Sequence, residues 1–334
     1  MIEVLASGVL ATVQDGGRPG FQRFGVPPSG ACDPRGLAIA NALLGNALDA
    51  PAVEITAGGF EIAIHERTVI GLGGADLGAL VVEEGRALAP DRSHVAWAGQ
   101  TIRFAGRASG AGAGVRAYLA VPGGLDVPEV MGSAATCLVA GFGGHDGRRL
   151  QPGDVLGARR PSDPTLAGRS WPSGQGPSAG PAVSVVRVIA GPHGDHFLPD
   201  ALTRFAGTEW SVRPDSDRMG IRLAGATIPR PPGAGDLVSV PMTWGAIQVP
   251  QDGTPIALLA DHQTVGGYPV LAVAIRADLP VVGQLAPGDH ARFEVITLPE
   301  AHDAWRADRA RFAVELEGLA RGEHWTDHWR WAGA

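Results

Sequence analysis

Lysine is absent from the 334-residue sequence, in which every permanently charged basic side chain is an arginine. A Schiff-base enzyme, a phosphate-binding P-loop and a Ser-Lys nucleophile pair each need a lysine side chain. The absence therefore excludes these three kinds of site from the chain. It also means that no lysine of this chain can carry covalently attached biotin or lipoate.

Cysteine, basic runs and long apolar runs are also scarce. The two cysteines, Cys32 and Cys137, have neither a metal-ligand spacing nor a disulfide framework, which favours a cytoplasmic protein without a metal site. A net charge of −7 and the lack of a basic run argue against binding to nucleic acid or to an anionic membrane. No apolar run reaches the ~18 residues of a membrane-spanning helix, and the first residues lack the basic segment of a signal peptide.

Glycine and proline are abundant, with 49 and 27 residues, and 45% of the residues are hydrophobic. This composition predicts a sizeable core, many turns and short strands. Because short apolar runs alternate with glycines, we expect a mainly β fold built from two β-rich blocks. The predicted domains are an N-terminal β-rich domain over 1–158, a Pro/Ser/Gly-rich linker over 159–181, a β-barrel domain over 182–297, and a helix with a tail over 298–334.

Two helices are predicted between and after the strands. Asp33 is a good N-cap before Pro34, and the apolar spacing that follows predicts a helix over about 33–45. Thr297 and Glu300 have the spacing of a capping box, which predicts a helix over about 298–320. In the tail, His324 and His328 have the i, i+4 spacing of helical metal ligands. Because no acidic motif accompanies them, we interpret them as part of a solvated tail.

Polar residues and glycines flank one apolar run in the second block. The run is PIALLA, over 255–260; Gln248 and Asp252 precede it, and DHQTVGGYP, over 261–269, follows it. Loops of this kind on a rigid sheet often carry binding groups, although two ordinary β-turns give the same pattern. We take residues 245–269 as the leading candidate for a functional site.

Other candidate groups give weaker signals. Glu54 lies in the middle of a predicted strand, where an outward-facing carboxylate is more common than a functional one. Ser133, His145 and Asp146 are close in sequence, but the GxSxG motif is missing, so we do not expect a catalytic triad. Cys137 lies in an apolar run and is expected in the core.

Three segments, in order along the chain, resemble the signatures of one family. They are TVQDGGRPGFQRFGVPPSGACDP from residue 12, DSDRMGIRL from residue 215 and GAIQVPQDGTPIALLADHQTVGGYP from residue 245. The family is the carboxyltransferase-domain family, which includes allophanate hydrolase subunit 2, the C-type component of 5-oxoprolinase and the antagonist of a sporulation kinase inhibitor. Part of the carboxyltransferase region of urea carboxylase is also similar. The resemblance extends over nearly the whole chain.

The resemblance implies a cyclophilin-like β-barrel architecture and a companion subunit, similar to allophanate hydrolase subunit 1 or to the kinase inhibitor. It implies catalytic roles for three residues: Arg218 would hold an oxygen atom of the substrate, Gln248 would bind an amide, and Asp261 would accept a proton. It also implies a set of substrate-binding residues, which are Gln14, Asp15, Arg18, Asp217, Met219, Pro250, Gln263, Thr264, Gly267, Tyr268 and Asp278.

The chain departs from the family pattern at Met242-Thr243-Trp244, where a glutamate- and glycine-containing segment is usual. This departure predicts a changed pocket rim. A second limit concerns chemistry, because the amidase that hydrolyses allophanate uses a Ser-Ser-Lys set. A chain without lysine cannot be that catalyst by itself.

Three functions follow from the resemblance. The one that we favour is a subunit of a hetero-oligomeric, ATP-dependent 5-oxoprolinase that acts on a small amide, lactam or urea-like substrate. No nucleotide-binding loop is visible, so a partner would bind the ATP. The second is a component of a biotin-dependent carboxyltransferase whose biotin is borne by a carrier protein. The third is a non-catalytic regulatory partner of a kinase-inhibitor-like protein.

Overall fold

The computed structural model describes residues 1–107, 113–172, 183–231, 233, 235 and 237–322. It confirms a mainly β fold with two β-rich blocks and few helices. The strands of the first block are β1 (Ile2–Ser7), β2 (Leu10–Gln14), β3 (Ala52–Thr56), β4 (Phe60–Ile64), β5 (Thr68–Gly74), β6 (Ala79–Val81), β7 (Arg86–Ala87), β8 (Arg92–Ala96), β9 (Thr101–Phe104), β10 (Arg116–Ala120) and β11 (Val155–Leu156). Those of the second block are β12 (Val183–Ala190), β13 (Trp210–Val212), β14 (Gly220–Ala224), β15 (Val240–Pro241), β16 (Ala246–Gln248), β17 (Ile256–Leu258), β18 (Val265–Gly266), β19 (Val270–Ala274) and β20 (His290–Val295). The helices are α1 (Pro34–Leu43), α2 (Ala201–Ala206), α3 (Leu279–Gln284) and α4 (Leu298–Arg321).

The first block, which we call the sandwich, consists of two sheets. One has the strand order β11-β1-β4-β9-β6-β7 and the other β2-β3-β10-β5-β8. Apolar side chains of both sheets form a single buried core, which includes Val4 and Ile62 from the first sheet and Val13 and Leu119 from the second. Alternation of inward and outward residues along short strands produces this two-layer packing.

Helix α1 packs on the outer face of the second sheet, and two glycines of β5 allow it to approach. A Cβ atom at Gly71 or Gly73 would collide with the backbone carbonyl groups of Ala40 and Gly36. The predicted N-cap is confirmed, since the Asp33 carboxylate accepts a hydrogen bond from the Gly36 N–H at 2.9 Å. The helix therefore begins at a fixed point beside the second block.

The second block is a closed barrel with the strand order β12-β19-β16-β17-β14-β13-β20. Its first and last strands, β12 and β20, pair in parallel and close it. Strands β15 and β18 form a separate two-stranded antiparallel sheet. The barrel core includes Trp210, Phe205 and Phe293, together with Cys32 from the segment between β2 and α1.

Helix α4 connects the two blocks on one side. The predicted capping box is confirmed, with Thr297 and Glu300 bonded reciprocally. The helix contacts the turn after β19 and packs Leu319 and Phe312 against α1 and Trp171. None of the described helices is long and apolar enough to cross a membrane. Residues 173–181 of the predicted linker, and the tail with His324 and His328, lie outside the described residues.

Candidate functional site

Arg218 lies at the centre of a buried ion network between the sandwich and the barrel. Backbone pairing places it there, because the Asp261 N–H donates to the Arg218 carbonyl at 3.0 Å where β14 and β17 meet. Its guanidinium donates to both Asp261 oxygens at 2.8 and 3.3 Å, to Glu54, to the Gly30 carbonyl at 2.7 Å and to the Cys32 sulfur at 3.3 Å. All five N–H groups of the guanidinium therefore have an acceptor.

Glu54 is the carboxylate that the sandwich contributes, and it is only 1% exposed. The interpretation of an outward-facing residue is therefore wrong. The carboxylate also accepts bonds from the Tyr118 hydroxyl at 2.7 Å and the Cys32 N–H at 2.9 Å. Burial alone would raise its pKa, but the charges of Arg218 and Arg116 hold the pKa of Glu54 below its ordinary value. Burial and the neighbouring Glu54 raise the pKa of Tyr118.

A second set of bonds extends the contact between the blocks. Gln284 of α3 donates to the Asp33 carboxylate at 2.7 Å and to the Arg116 carbonyl at 2.9 Å, and its own oxygen accepts the Arg116 N–H at 2.9 Å. Arg116 in turn donates to the Gly283 carbonyl. A hydrogen-bonded network of this kind fixes two elements in one arrangement, although the buried Arg116 Nε atom has no acceptor among the described residues. This geometry favours a structural role for Arg218 and Asp261, whose catalytic roles remain predictions.

The first family-like segment forms a second polar cluster inside the sandwich. The Asp15 carboxylate accepts bonds from the Gly17 N–H at 2.7 Å, the Ser133 hydroxyl at 2.6 Å and the Ala134 N–H at 2.6 Å. The Ser133 hydroxyl is thereby used by Asp15, while His145 lies 3.3 Å from Asp154. These contacts agree with the expectation that Ser133 belongs to no catalytic triad.

Arg18 lies beside this cluster and is only 1% exposed. It donates to the carbonyls of Ala135 and Val130 and lies 4.9 Å from the centre of the Phe142 ring. Within the described residues, its Nη1 atom has no acceptor, and two other buried oxygens, Gln14 Oε1 and Ser29 Oγ, have no donor. Burial lowers the pKa of Arg18. With three such atoms, this segment is one of the places in the described interior where buried polar atoms lack partners.

The third family-like segment forms a polar cluster next to the two-stranded sheet of β15 and β18. The Gln248 oxygen accepts the Gln263 side-chain N–H at 2.9 Å, and the Gln248 nitrogen lies 3.4 Å from the Tyr268 carbonyl and 3.3 Å from the Met242 sulfur. The Thr264 carbonyl accepts the Met242 N–H at 2.9 Å. The structure therefore brings together Gln248, Gln263, Thr264 and Tyr268, whose catalytic and substrate-binding roles remain predictions.

The remaining predicted residues lie in turns or in other contacts. The exposed Asp217 caps its own turn by accepting the Met219 N–H at 2.8 Å. The carbonyls of Pro250 and Gly267 accept backbone bonds from nearby loops. Asp278 forms an ion pair with Arg187 at 2.6 Å, on the barrel wall. Their substrate-binding roles remain predictions.

A cleft of about 930 Å³ lies where the sandwich, the barrel and α4 meet. The first family-like segment lines it through Gly16 and Pro28, and the third lines it through His262. Trp244, from the segment that departs from the family pattern, lines it as well. The cleft therefore joins residues that are far apart in the sequence. Its size and its position between domains are typical of small-molecule sites.

Two polar groups of this cleft have hydrogen-bonding capacity to spare. The His262 Nδ1 atom lies 2.7 Å from the Gln263 carbonyl, so Nδ1 carries the proton and Nε2 is an acceptor in the neutral ring. Burial lowers the pKa of His262, which keeps the ring neutral at pH 7. The buried Trp244 Nε1–H has no acceptor among the described residues. One acceptor and one donor of the cleft residues are therefore unpaired, and the donor atom is itself buried.

The cleft also has charged groups with and without partners. Arg35 is paired with Asp308 at 3.1 Å and with Glu315 at 2.7 Å. Arg276 and Arg309 instead lie against Trp305, at 4.7 and 5.9 Å from its ring. Sequence reasoning missed these residues, because the cleft is formed only when α4 docks against the barrel. The i, i+4 spacing of Trp305 and Arg309 was the one signal that they share a helix face.

No group of three or more His, Cys, Asp or Glu side chains that could hold a metal ion occurs within the described ranges. The only candidate pair from the sequence, His324 and His328, lies outside them. The side chains that line the cleft offer hydrogen bonding, apolar contact and positive charge.

Comparison with known proteins gives consistent matches over nearly the whole chain. Residues 24–295 match the family described as carboxyltransferase domain, subdomain A and B. The C-type component of the 5-oxoprolinase of Escherichia coli is 35% identical over 329 residues, which cover 97% of this chain and 100% of that protein. The urea amidolyase of Lachancea kluyveri is 36% identical over 339 residues, which cover 90% of this chain but only 18% of that protein. The crystal structure of Kluyveromyces lactis urea carboxylase has a TM-score of 0.82 at 31% identity, and the match covers 95% of this chain and 29% of that one.

Proposed function

Since the chain belongs to the family of the carboxyltransferase domain, subdomain A and B, we propose that it is a subunit of an ATP-dependent 5-oxoprolinase-type enzyme. The observation that carries this proposal is the match to the C-type component of 5-oxoprolinase, which covers 100% of the length of that protein. A second 5-oxoprolinase component of the same type, from Haemophilus influenzae, is also 35% identical, with 93% of its length covered. The enzyme would open a small lactam with the help of a companion subunit.

We assign to this chain the binding and orientation of the lactam in the cleft. A lactam has one N–H donor and one carbonyl acceptor. The His262 Nε2 acceptor and the Trp244 Nε1–H donor complement these two groups. Because the chain has no lysine and no phosphate-binding loop, the site for ATP belongs to a partner.

A second candidate is carboxyl transfer from biotin. Its support is the similarity to urea amidolyase of L. kluyveri and to the K. lactis urea carboxylase structure. This chain spans a small part of those proteins, and without lysine it cannot carry the biotin itself. A carrier protein would have to bring biotin to the complex.

The test is ATP-dependent conversion of 5-oxoproline to glutamate by the complex of this chain, its companion subunit and a third component. Activity that disappears when this chain is left out is the expected result. An intact complex, verified by native mass, that shows no activity would contradict the proposal and favour carboxyl transfer.

A substitution at Trp244 tests whether the lactam binds in the cleft. Trp244→Phe removes the indole donor and keeps an aromatic ring, so we expect KM to rise about tenfold, the cost of one lost hydrogen bond. Trp97→Phe is the matched control, because Trp97 is an exposed residue of the sandwich that stacks on Arg67. An unchanged KM for Trp244→Phe would contradict the role of this donor.

A further inference from the structure

Trp305 holds two arginine side chains in the cleft. Arg309 follows it by one helical turn on α4, whereas Arg276 comes from the turn after β19 of the barrel. The guanidinium carbons lie 5.9 and 4.7 Å from the ring centre, within the range of a cation–π contact. Stacking orients a guanidinium while leaving its N–H groups free to bind.

These two charges are not neutralised by the protein. In the part of the chain that the structure describes, neither Arg276 nor Arg309 forms an ion pair with a carboxylate. The acid that lines the cleft, Asp308, is already bonded to Arg35 and to Arg311, at 3.1 and 2.8 Å. The cleft therefore has an excess of positive charge at one place, beside Trp305.

Part of the cleft wall next to Trp305 is apolar. Phe312 and Leu316 continue the Trp305 face of α4, and Leu279 and Trp244 form the barrel side. A fully hydrated anion such as phosphate would leave these surfaces without contact. An anion with an apolar body would cover them and gain from the burial of apolar area.

We propose that Arg276 and Arg309 form a binding site for the carboxylate of a small cyclic organic acid, whose ring lies against the apolar wall of the cleft. A carboxylate has two oxygens that match the planar fork of a guanidinium, which makes it the preferred anion for such a pair. Because one arginine belongs to the barrel and the other to α4, the ligand joins the two elements. The inference rests on the proposed function only for the role of the cleft as a substrate site.

The experiment measures binding of three probes to the full chain by titration calorimetry at low salt. Benzoate has a flat ring and a carboxylate, benzamide is its neutral isostere, and inorganic phosphate is an anion without a ring. We expect benzoate to bind at least about tenfold more tightly than benzamide, since a charge-assisted bond is stronger than a neutral one. Benzamide or phosphate binding as tightly as benzoate would overturn the proposal.

Three variants locate the site. Arg276→Gln and Arg309→Gln should each weaken benzoate binding about tenfold, and raised salt should weaken it in the wild type. Arg306→Gln is the matched control, because it removes the same charge from the same helix at a side chain that is 71% exposed and paired with Asp303. An equal loss in all three variants would show a general field effect and overturn the assigned site.

Binding and turnover separate this inference from the proposed function. Probe binding needs no partner subunit and no ATP. Benzoate binding that depends on Arg276 and Arg309, in a complex without 5-oxoprolinase activity, supports the carboxylate site and contradicts the proposed reaction. An active complex whose isolated chain binds no benzoate would support the proposed reaction and contradict the carboxylate site.

Discussion

Two groups of arginines in this protein differ in their burial and in the number of acceptors that the protein supplies to them. Arg218 is 3% exposed, and five acceptors surround its guanidinium. Arg276 and Arg309 are exposed in an open cleft and rest on an aromatic ring. The first arrangement has no N–H group left to bind a ligand, whereas the second has several.

The difference separates stability from binding. A buried charge with all its bonds made is costly to disturb and fixes how two elements dock. An arginine without a carboxylate partner contributes little to folding and is available to an anion. Polar residues that are close in sequence to a family signature can therefore serve either purpose, and their partners decide which.

The largest expected effect comes from removing the centre of the buried network. Arg218→Ala leaves Glu54 and Asp261 buried without their partner, so we expect the free energy of unfolding to fall by about 3–5 kcal/mol. Urea denaturation followed by tryptophan fluorescence measures the change. Arg213→Ala, which breaks an exposed pair with Asp215, is the control and should change stability by less than about 0.5 kcal/mol.

The same variant distinguishes a structural from a catalytic role. If Arg218 serves only to dock the blocks, turnover per folded molecule should change less than tenfold once the unfolded fraction is subtracted. A well-folded Arg218→Ala complex with no turnover would instead support the catalytic role that the family resemblance implies.

The second-largest effect is expected at a buried carboxylate that forms no ion pair with an arginine within the described residues. Asp91 has an unpaired Oδ1 atom, and burial, with the charge of Asp33, raises its pKa to about 7. The folded form therefore holds a proton that the unfolded form releases, so stability falls as the pH rises from about 4 to about 7. Asp91→Asn should remove this loss and stabilise the protein at pH 8 by on the order of 2 kcal/mol.

Thermal unfolding at pH 4 and at pH 8 measures this effect. The wild type and Asp91→Asn should have similar stability at the lower pH. Asparagine also tolerates the left-handed backbone of this residue, whose φ is 53°. Equal stability of the two proteins at pH 8 would show that the pKa of this carboxyl group is not raised in the folded protein.

A smaller effect is expected at the contact between α1 and α4. Arg35→Gln breaks partly buried pairs with Asp308 and Glu315, which should cost about 1 kcal/mol. Chemical denaturation of this variant beside Arg306→Gln provides the comparison, since the Arg306 pair with Asp303 is exposed. A loss as large as that of Arg218→Ala would contradict the ranking of the two networks.

The smallest expected effect is on the stability of the cleft variants. Arg276→Gln and Arg309→Gln should unfold within about 0.5 kcal/mol of the wild type, because neither arginine has an ion-pair partner to lose among the described residues. Differential scanning calorimetry checks this. A marked loss of stability would show that these arginines stabilise the fold, as Arg218 does, and would contradict the difference between the two groups.

Local features of the fold were predictable from the sequence. The caps at Asp33 and Thr297 and the apolar spacing after each located both long helices to within a few residues. Glycine-separated alternation identified the β-rich blocks. The short helices α2 and α3 were not predicted, because six residues give too little periodicity and their packing against the barrel determines them.

The candidate site was predictable only in part. The cluster of Gln248, Gln263 and Thr264 follows from one short segment. Glu54 was misjudged, because strand alternation does not reveal that both faces of β3 are covered. The cleft could not be predicted, since it forms between regions that meet only in the tertiary structure.

The parallel pairing of β12 with β20 has a consequence for synthesis on the ribosome. Val183 lies beside His290, so the strand that opens the barrel has to wait for the strand that closes it. Until about a hundred further residues have been added, one edge of β12 is unpaired, and such edges attract other chains. The sandwich, whose strands precede β12, can fold during that interval and offer Cys32 and Glu54 as the surface on which the barrel closes.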